Sequence, residues 1–304
     1  MHWYLEGGIG PVRAVYPQVL GHEPAGEIIA VGRGVETLAP GQRVALEPAI
    51  NCGHCEHCRS GRHNNCISAA FMGSPQKEGL FREYALFPAH NAIPIPDAMS
   101  FNQATIAEPL AVILHVVELQ RIRIGETVAV MGAGPIGLLT AAVARVAGAS
   151  RIFVADKLPH RLEIAKCMGV ADVTVNVAKE SLYQAVMDHT KGRGVDIALD
   201  AAGAAESINN AIAVARVGGR VVLIGIPSQV NLPIDILVAL AKELQIQTIR
   251  RSNENAYAAL DVLQKGLISE KLVTHYLPLE KTPLAFETLA NYTDGVGKII
   301  IEIP

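Results

Sequence analysis

Two hydrophobic patterns alternate through the middle of the chain. Short, mostly apolar runs are typical of buried parallel strands. They occur at Thr127–Met131, Arg151–Ala155, Asp172–Asn176, Asp196–Asp200, Arg220–Ile226 and Leu244–Arg250. Between them, apolar residues recur at helical spacing in Leu138–Gly148, Leu158–Met168, Glu180–Thr190, Glu206–Val214 and Ile234–Lys242. This alternation predicts an α/β fold with a doubly wound parallel sheet.

The two ends of the chain show a different pattern. Residues 1–50 combine alternating polarity with Gly and Pro turn signals, which predicts β structure. Strands are expected at Ala25–Gly32, Gln42–Glu47, Leu80–Pro88 and Asn91–Pro96. The tail predicts helices near Glu254–Lys265 and Thr282–Asn291 and strands at Leu272–Leu277 and Lys298–Ile303. We therefore expect both ends to build one domain into which the parallel sheet is inserted.

A glycine-rich turn follows the first strand of the predicted sheet. Gly132, Gly134 and Gly137 form a G-x-G-x-x-G motif that opens into a helical pattern. In that context the three glycines allow the tight turn, the approach of backbone to a pyrophosphate, and close helix–strand packing. The next strand ends at Asp156, a carboxylate that can bind an adenosine ribose and would repel a 2′-phosphate. The motif thus predicts a dinucleotide site that favours NAD over NADP.

A cysteine lobe is the second strong signal. Four cysteines follow the spacing C-x2-C-x2-C-x7-C, at Cys52, Cys55, Cys58 and Cys66. Four thiolates suit a closed, tetrahedral structural zinc site. An iron–sulfur cluster could use the same number of cysteines, although this spacing resembles neither ferredoxin pattern. The interleaved histidines at positions 54, 57 and 63 are interpreted as solvated loop residues.

Three further positions carry possible chemistry that pattern alone leaves open. His22 and Glu23 lie between a glycine and a proline, where side chains can project from a bend. Glu108 interrupts an apolar run, so it is either a buried acid that needs a partner or a partly exposed acid at a helix start. The pair Arg250 and Arg251 ends a predicted strand, which is more often a surface feature.

Composition narrows the class of protein. With 304 residues, 50% of them hydrophobic and 18% charged, the chain can form two domains with a large core. A net charge of −3 argues against a nucleic-acid face, and no apolar run reaches membrane-spanning length. The clustered cysteines and a start unlike a signal peptide indicate a reducing cytoplasm. Residues Gln229–Pro233 could form an edge strand, which favours a homodimer or homotetramer.

Several motifs together resemble one family. The glycine turn, the cysteine lobe, Gly21–Ile28, Glu108–Val112 and Gly295–Pro304 resemble the zinc-dependent medium-chain dehydrogenases, in particular their sorbitol or polyol dehydrogenase branch. The resemblance implies a GroES-like catalytic domain formed by residues 1–109 plus 253–304, with a structural zinc lobe at 51–67. It also implies an NAD-binding Rossmann domain at 110–252.

The same resemblance implies roles for individual residues. His22, Glu23 and Glu108 would surround a catalytic zinc, with Glu23 the usual direct ligand and Glu108 often acting through water. His2 would relay a proton. Cofactor contacts are expected at Gly132, Gly134, Ile136, Gly137, Asp156, Arg161, Gly225, Ile226 and Arg250. Substrate contacts are expected at Trp3, Glu108, Arg250 and Arg251.

The first residues depart from the family pattern. Family members carry further strands and a Cys-Gly-Ser-Asp-x-His motif, whose end Met1–Tyr4 matches. A cysteine ligand of the catalytic zinc and a proton-relaying hydroxyl belong to that motif. We therefore expect a mis-called start codon or a truncated gene, and a chain that could fail at chemistry without the cysteine.

The resemblance implies reversible, NAD-dependent oxidation of a secondary alcohol, such as sorbitol or xylitol, to a ketone. The expected cofactors are NAD, one structural zinc and one catalytic zinc. Threonine, butanediol or a sugar phosphate are alternative substrates. A non-catalytic homologue that binds NAD and zinc is an alternative from a different class.

Overall fold

The computed structural model describes residues 1–304, and its largest element is a six-stranded, fully parallel sheet. In spatial order its strands are Val173–Asn176, Arg151–Asp156, Thr127–Met131, Val195–Asp200, Ala215–Leu223 and Gln245–Thr248. The order reverses between the third and fourth strands. In such sheets the crevice outside the carboxyl ends at the reversal is the place where ligands bind.

Alternating residues of these strands bury their side chains on opposite faces. Val128 and Val130 belong to one hydrophobic cluster, whereas Ala129 and Met131 belong to a second one. Helices cover the sheet at Pro135–Val146, Pro159–Cys167, Leu182–Thr190, Ala205–Val214 and Ile236–Ala241. The predicted α/β fold with a doubly wound parallel sheet is confirmed.

The rest of the chain forms smaller elements. Ala25–Glu27, Arg43–Leu46 and Ala92–Pro94 make an antiparallel sheet, and Val273–Pro278 pairs in parallel with Lys298–Glu302. A short hairpin joins Gly8–Ile9 to Val12–Arg13, and the antiparallel pair of Ala49–Ile50 and Ala70–Phe71 encloses the cysteine lobe. The remaining helices are His2–Leu5, Glu56–Arg59, Phe101–Ala104, Ala107–Leu119, Ala256–Gln264 and Thr282–Asn291, with 3-10 turns at His63–Asn65, Ala89–Asn91, Glu270–Leu272 and Leu279–Lys281.

Three predicted strands are wrong or too long. Leu80–Pro88 contains bends and irregular backbone but no strand, and Leu86 is 92% exposed. Gln229–Pro233 likewise joins no sheet, and the strand predicted at Ala25–Gly32 ends at Glu27. Alternating polarity predicts an extended backbone, but a ladder also needs a neighbouring strand to accept and donate its hydrogen bonds.

The helix Ala107–Leu119 leads into the parallel sheet and packs against the helices Pro135–Val146 and Ala256–Gln264. The division into residues 1–109 plus 253–304 and residues 110–252 stays a prediction. None of the helices has the length and apolar character needed to cross a lipid bilayer.

Candidate active site

His22, Glu23 and Glu108 come together although 85 positions separate Glu23 from Glu108 in sequence. Their ligand atoms lie within 4.8 Å of one another. His22 and Glu23 lie in the loop before the strand Ala25–Glu27, and Glu108 lies in the first turn of the helix Ala107–Leu119. Pro109 follows Glu108 in this first turn. Proline has no backbone N–H, but the first N–H groups of a helix have no intrahelical acceptor, so no hydrogen bond is lost. Glu108 therefore combines features of both interpretations, because it is a partly exposed acid at a helix start and also lies beside His22 and Glu23.

Burial and neighbouring charges shift the pKa values of this cluster in different directions. Burial, reinforced by the carboxylates of Glu23 and Glu47, raises the pKa of Glu108 well above its usual range. Burial alone would also raise the pKa of Glu23, but the charge and the hydrogen bond of the Lys298 ammonium lower it overall. Burial lowers the pKa of His22, so its imidazole is held neutral. A neutral imidazole between two carboxylates is a donor set that fits zinc, whose charge would relieve the repulsion between the acids.

Lys298 is a member of the site without an assigned role in the sequence analysis. Its ammonium forms an ion pair with Glu23 Oε2, and the Lys298 side chain is only 12% exposed. The lysine opens the last strand, which joins the tail of the chain to the loop of His22 and Glu23. Lys298 lies in the segment Gly295–Pro304, which carries part of the family resemblance. Its pairing with Glu23 could not be predicted from sequence, because it depends on the tertiary fold.

Phe71 links the cluster to the predicted arginine pair. The rings of His22 and Phe71 have centroids 5.1 Å apart, and the Arg251 guanidinium carbon lies 4.5 Å from the Phe71 centroid. The structure thus brings Arg251 to the cluster, whereas Arg250 is exposed.

Two predicted residues of the N-terminal helix make other contacts. The His2 ring nitrogen Nδ1 lies 3.2 Å from Glu6 Oε2, and His2 does not belong to the metal-ligand cluster. The Trp3 carbonyl accepts a hydrogen bond from the Tyr16 hydroxyl at 2.9 Å. The predicted roles of His2 in proton relay and of Trp3 in substrate binding stay predictions.

The four lobe cysteines form a second cluster, with all Sγ atoms within 4.8 Å of one another. Backbone N–H groups of Cys58 and Ile67 lower the pKa of Cys55 to about 6, whereas burial and the neighbouring sulfurs raise the pKa of Cys58 to about 12. Four thiolates at this distance repel one another unless a cation binds them, which fits a structural zinc. The sharp turns expected within the lobe are present, because Gly53 and Gly61 have φ angles of 74° and 73°.

The interleaved histidines do not belong to this cluster. His54 Nδ1 lies 2.7 Å from the Cys52 carbonyl oxygen, and His63 Nδ1 lies 3.0 Å from Glu254 Oε1. The contact of His54 is local, whereas His63 reaches a residue far along the chain. Their absence from the cluster agrees with the interpretation that they are not ligands, although His57 and His63 are only partly exposed.

Two asparagines that the sequence analysis missed join the lobe to the segment after the sheet. The buried Asn64 donates from Nδ2 to the Arg250 carbonyl at 2.9 Å. Asn253 donates from Nδ2 to the Gly61 carbonyl at 2.9 Å, and its Oδ1 accepts from the Asn64 N–H at 3.4 Å. No local pattern signals these contacts, because their partners are distant in sequence.

The glycine turn has the geometry that its motif requires. Gly132 has a φ of 95°, a conformation open mainly to glycine. A Cβ at Gly137 would lie 1.7 Å from the Gly132 carbonyl oxygen, so helix and turn pack too closely for any side chain. Gly134 is the N-cap of the helix Pro135–Val146, and Ile136 lies in its first turn. The first N–H groups of that helix can therefore meet a phosphate.

Asp156 fixes this turn from the neighbouring strand. Its carboxylate accepts hydrogen bonds from the N–H groups of Ala133 at 2.7 Å and Leu158 at 2.8 Å. Arg161 lies 3.9 Å from the same carboxylate, and its guanidinium stacks on the Tyr292 ring at 4.8 Å. The acid thus orients the turn, and its predicted contact to a ribose stays a prediction.

At the same edge of the sheet, the backbone at Gly225 passes close to the backbone at Gly203. A Cβ at Gly225 would lie 2.2 Å from the Gly203 nitrogen, and Ile226 beside it is exposed. The buried Asp200 holds this crossing through the N–H groups of Ala202 and Gly203, at 3.3 Å and 3.0 Å. Asp200 was missed in the sequence analysis, although its place at a strand end before Ala-Ala-Gly was a usable signal.

A nitrogen and oxygen cluster suited to zinc, together with a glycine turn at the switch point of a parallel sheet, is an arrangement that suits a metal- and nucleotide-dependent oxidoreductase. Family models match the chain as "Alcohol dehydrogenase GroES-like domain" over residues 2–97 and as "Zinc-binding dehydrogenase" over residues 135–265. The sorbitol dehydrogenase of Bacillus subtilis (strain 168) is 35% identical over 302 residues, which cover 99% of this chain and 85% of that protein.

Two solved structures are also similar. An alcohol dehydrogenase from Escherichia coli CFT073 in complex with NADH is 34% identical, with a TM-score of 0.87 over 95% of this chain and 85% of that one. L-idonate 5-dehydrogenase from Escherichia coli K-12 is 30% identical, with a TM-score of 0.90 over 99% of this chain and 86% of that one.

The chain therefore belongs to the zinc-binding dehydrogenases. The predicted family, with its GroES-like and Rossmann parts, and the prediction of an enzyme are confirmed. The family match also favours zinc over an iron–sulfur cluster in the cysteine lobe.

Proposed function

We propose that this chain oxidises a secondary alcohol group of a polyol, such as sorbitol or xylitol, to a ketone and transfers the hydride to NAD. The observation that carries this proposal is the cluster of His22, Glu23 and Glu108, whose ligand atoms lie within 4.8 Å of one another. The likeness to the sorbitol dehydrogenase of Bacillus subtilis supports a polyol as substrate.

The residues of the cluster would share the work as follows. His22 offers a neutral nitrogen because burial lowers its pKa. Lys298 keeps Glu23 ionised and oriented, so that a carboxylate oxygen is ready for a metal. Glu108 adds a second oxygen donor. When bound, zinc would supply the Lewis-acid chemistry that lowers the pKa of the substrate hydroxyl. The resemblance implies that the proton released there would leave through a hydroxyl and His2 in a protein that carries the complete motif.

NAD is the proposed hydride acceptor. The turn Gly132–Gly137 and the helix that follows would bind the pyrophosphate, and Asp156 would bind the adenosine ribose. Its carboxylate would repel the 2′-phosphate of NADP, which supports NAD. Ile136, Arg161, Gly225, Ile226 and Arg250 are proposed as further contacts. The likeness to a dehydrogenase in complex with NADH supports the same cofactor.

The experiment is NADH formation with a panel of polyols and simple alcohols, for the zinc-loaded protein and for His22→Asn. We expect turnover with a polyol and a loss of about a hundredfold or more in the variant, because one metal ligand is replaced by a weaker donor. NAD binding, followed by fluorescence quenching, should not change. Full polyol oxidation by His22→Asn, or NAD binding without oxidation of any alcohol, would contradict the proposal.

We also propose that the chain forms a homodimer or homotetramer and works in the cytoplasm. The helix Ile236–Ala241 exposes Leu237 by 77% and Leu240 by 69%, and the nearby strand Gln245–Thr248 lies at the edge of the sheet. An exposed apolar helix beside an open strand edge supports pairing with a second copy. Sedimentation velocity would test this, and a monomer at micromolar concentration would contradict it. Cysteines without disulfides support a reducing compartment.

A further inference from the structure

Arg251 is a cation without a partner inside the chain. Its side chain is partly buried, and the guanidinium nitrogen Nη1 is fully buried with no hydrogen-bond acceptor. The guanidinium forms no ion pair either. Burying an unpaired charge is costly, and natural structures normally satisfy such groups. The site therefore offers a charged donor that no residue of the protein uses.

The position of Arg251 connects it to the candidate active site. Its guanidinium packs on Phe71, the residue against which His22 also packs. The unpaired cation thus lies beside the metal-ligand cluster.

The backbone holds Arg251 in an uncommon conformation. Its φ is 56°, in the left-handed region that non-glycine residues rarely adopt. The next residues are fixed, because Ser252 is buried with its Oγ 3.3 Å from Glu47 Oε2 and Asn253 donates to the Gly61 carbonyl. Strain that the surroundings maintain is typical of residues that a ligand uses.

The nearby acids form no ion pair with Arg251. Glu47 accepts hydrogen bonds from the Ala49 N–H and the Ser252 hydroxyl, and neither Glu47 nor Glu108 lies within ion-pair distance of the guanidinium. Lys298, the other cation at the cluster, is paired with Glu23. A guanidinium presents a planar fork of donors that matches a carboxylate or a phosphate, and a neutral hydroxyl uses only part of it.

We propose that Arg251 binds an anionic group, a carboxylate or a phosphate, on the polyhydroxylated substrate. The inference rests on the proposed function and narrows its substrate class to acid-bearing polyols. Arg251 would set substrate specificity by accepting the acid group at one end of the chain of hydroxyls while the carbinol to be oxidised faces the metal ligands.

The test measures binding rather than turnover. D-gluconate, sorbitol 6-phosphate and sorbitol are titrated calorimetrically into the full chain saturated with NADH, so that none of the alcohols reacts. Wild type, Arg251→Gln and Arg251→Lys are compared, with Arg33→Gln as the control because Arg33 is exposed and makes no ion pair. Each titration is repeated after metal removal by a chelator, which separates binding to Arg251 from binding to zinc.

We expect wild type and Arg33→Gln to bind one of the two anions about tenfold to a hundredfold more tightly than sorbitol. Arg251→Gln should lose that preference and bind sorbitol normally, and Arg251→Lys should keep part of it. The gluconate and phosphate arms distinguish a sugar acid from a sugar phosphate. Equal losses for all three probes, or tighter binding of sorbitol than of both anions by wild type, would overturn the inference.

The two proposals fail separately. If the protein oxidises neutral polyols and Arg251→Gln leaves every affinity unchanged, the proposed function stands and the role of Arg251 is refuted. If no alcohol is oxidised but the anion still binds through Arg251, the proposed function fails and the anion site stands.

Discussion

The two metal-ligand clusters of this chain differ in how they are built. The lobe cluster takes all four donors from one loop, Cys52 to Cys66, so chain connectivity alone keeps them near one another. The cluster of His22, Glu23 and Glu108 needs a loop, a helix and, through Lys298, the last strand. A local metal site can therefore stabilise the fold around it, whereas a site assembled from distant segments depends on the fold already being formed.

Replacing a lobe ligand should give the largest effect on stability. Cys58→Ser removes a buried donor, so the lobe should lose its zinc and the free energy of unfolding should fall by about 4 kcal/mol or more. Zinc content per chain and urea unfolding measure this. Cys167→Ser is the matched control, because that cysteine is exposed and outside the lobe. A Cys58→Ser variant as stable as the control would show that the lobe does not stabilise the fold through its metal.

Removing the lysine at the second cluster should have a smaller effect that depends on metal. Lys298→Met leaves the Glu23 carboxylate without its counter-charge, so the metal-free protein should lose about 2 kcal/mol. Added zinc should restore much of that loss, because the metal then supplies the missing positive charge. Thermal unfolding with and without zinc measures both effects. An equal loss in both conditions would show that Lys298 acts apart from the metal site.

The smallest expected effect is a pH dependence of the metal-free protein. Burial raises the pKa of Glu108 above its value in the unfolded chain, so Glu108 stays protonated to higher pH in the folded state. Stability should therefore fall as pH rises from the ordinary glutamate range towards the raised value. Melting temperatures between about pH 5 and pH 8 should show this decline in wild type and less of it in Glu108→Gln. Parallel curves for the two proteins would mean that Glu108 titrates normally.

The parallel sheet was largely predictable from sequence. Its strands are buried on both faces. Strands such as Thr127–Met131 and Val195–Asp200 are therefore mostly apolar runs, which can be recognised without knowing which strands pair with them. Leu80–Pro88 shows the limit of such reasoning, because its alternating polarity contains no information about a partner strand. The spacing of the lobe cysteines was equally informative, since all the donors are local.

The assembled site was less predictable from physical pattern. His22 and Glu23 carried little weight alone, and Glu108 had two equal interpretations until the fold placed it beside them. The role of Lys298 depends on Glu23, which is far away in sequence, and the role inferred for Arg251 depends on the lack of a hydrogen-bond partner. Only the resemblance to a family pointed to such residues before the tertiary contacts were known.

The hydrogen bonds of Asn64 and Asn253 have a thermodynamic consequence. They fasten the cysteine loop to the backbone of residues 250–253, on which Arg251 is carried. Occupancy of the structural metal and affinity for an anionic substrate should therefore be reciprocally linked, each strengthening the other by the same factor. A metal that takes no part in the reaction would in this way tune which molecules the enzyme accepts.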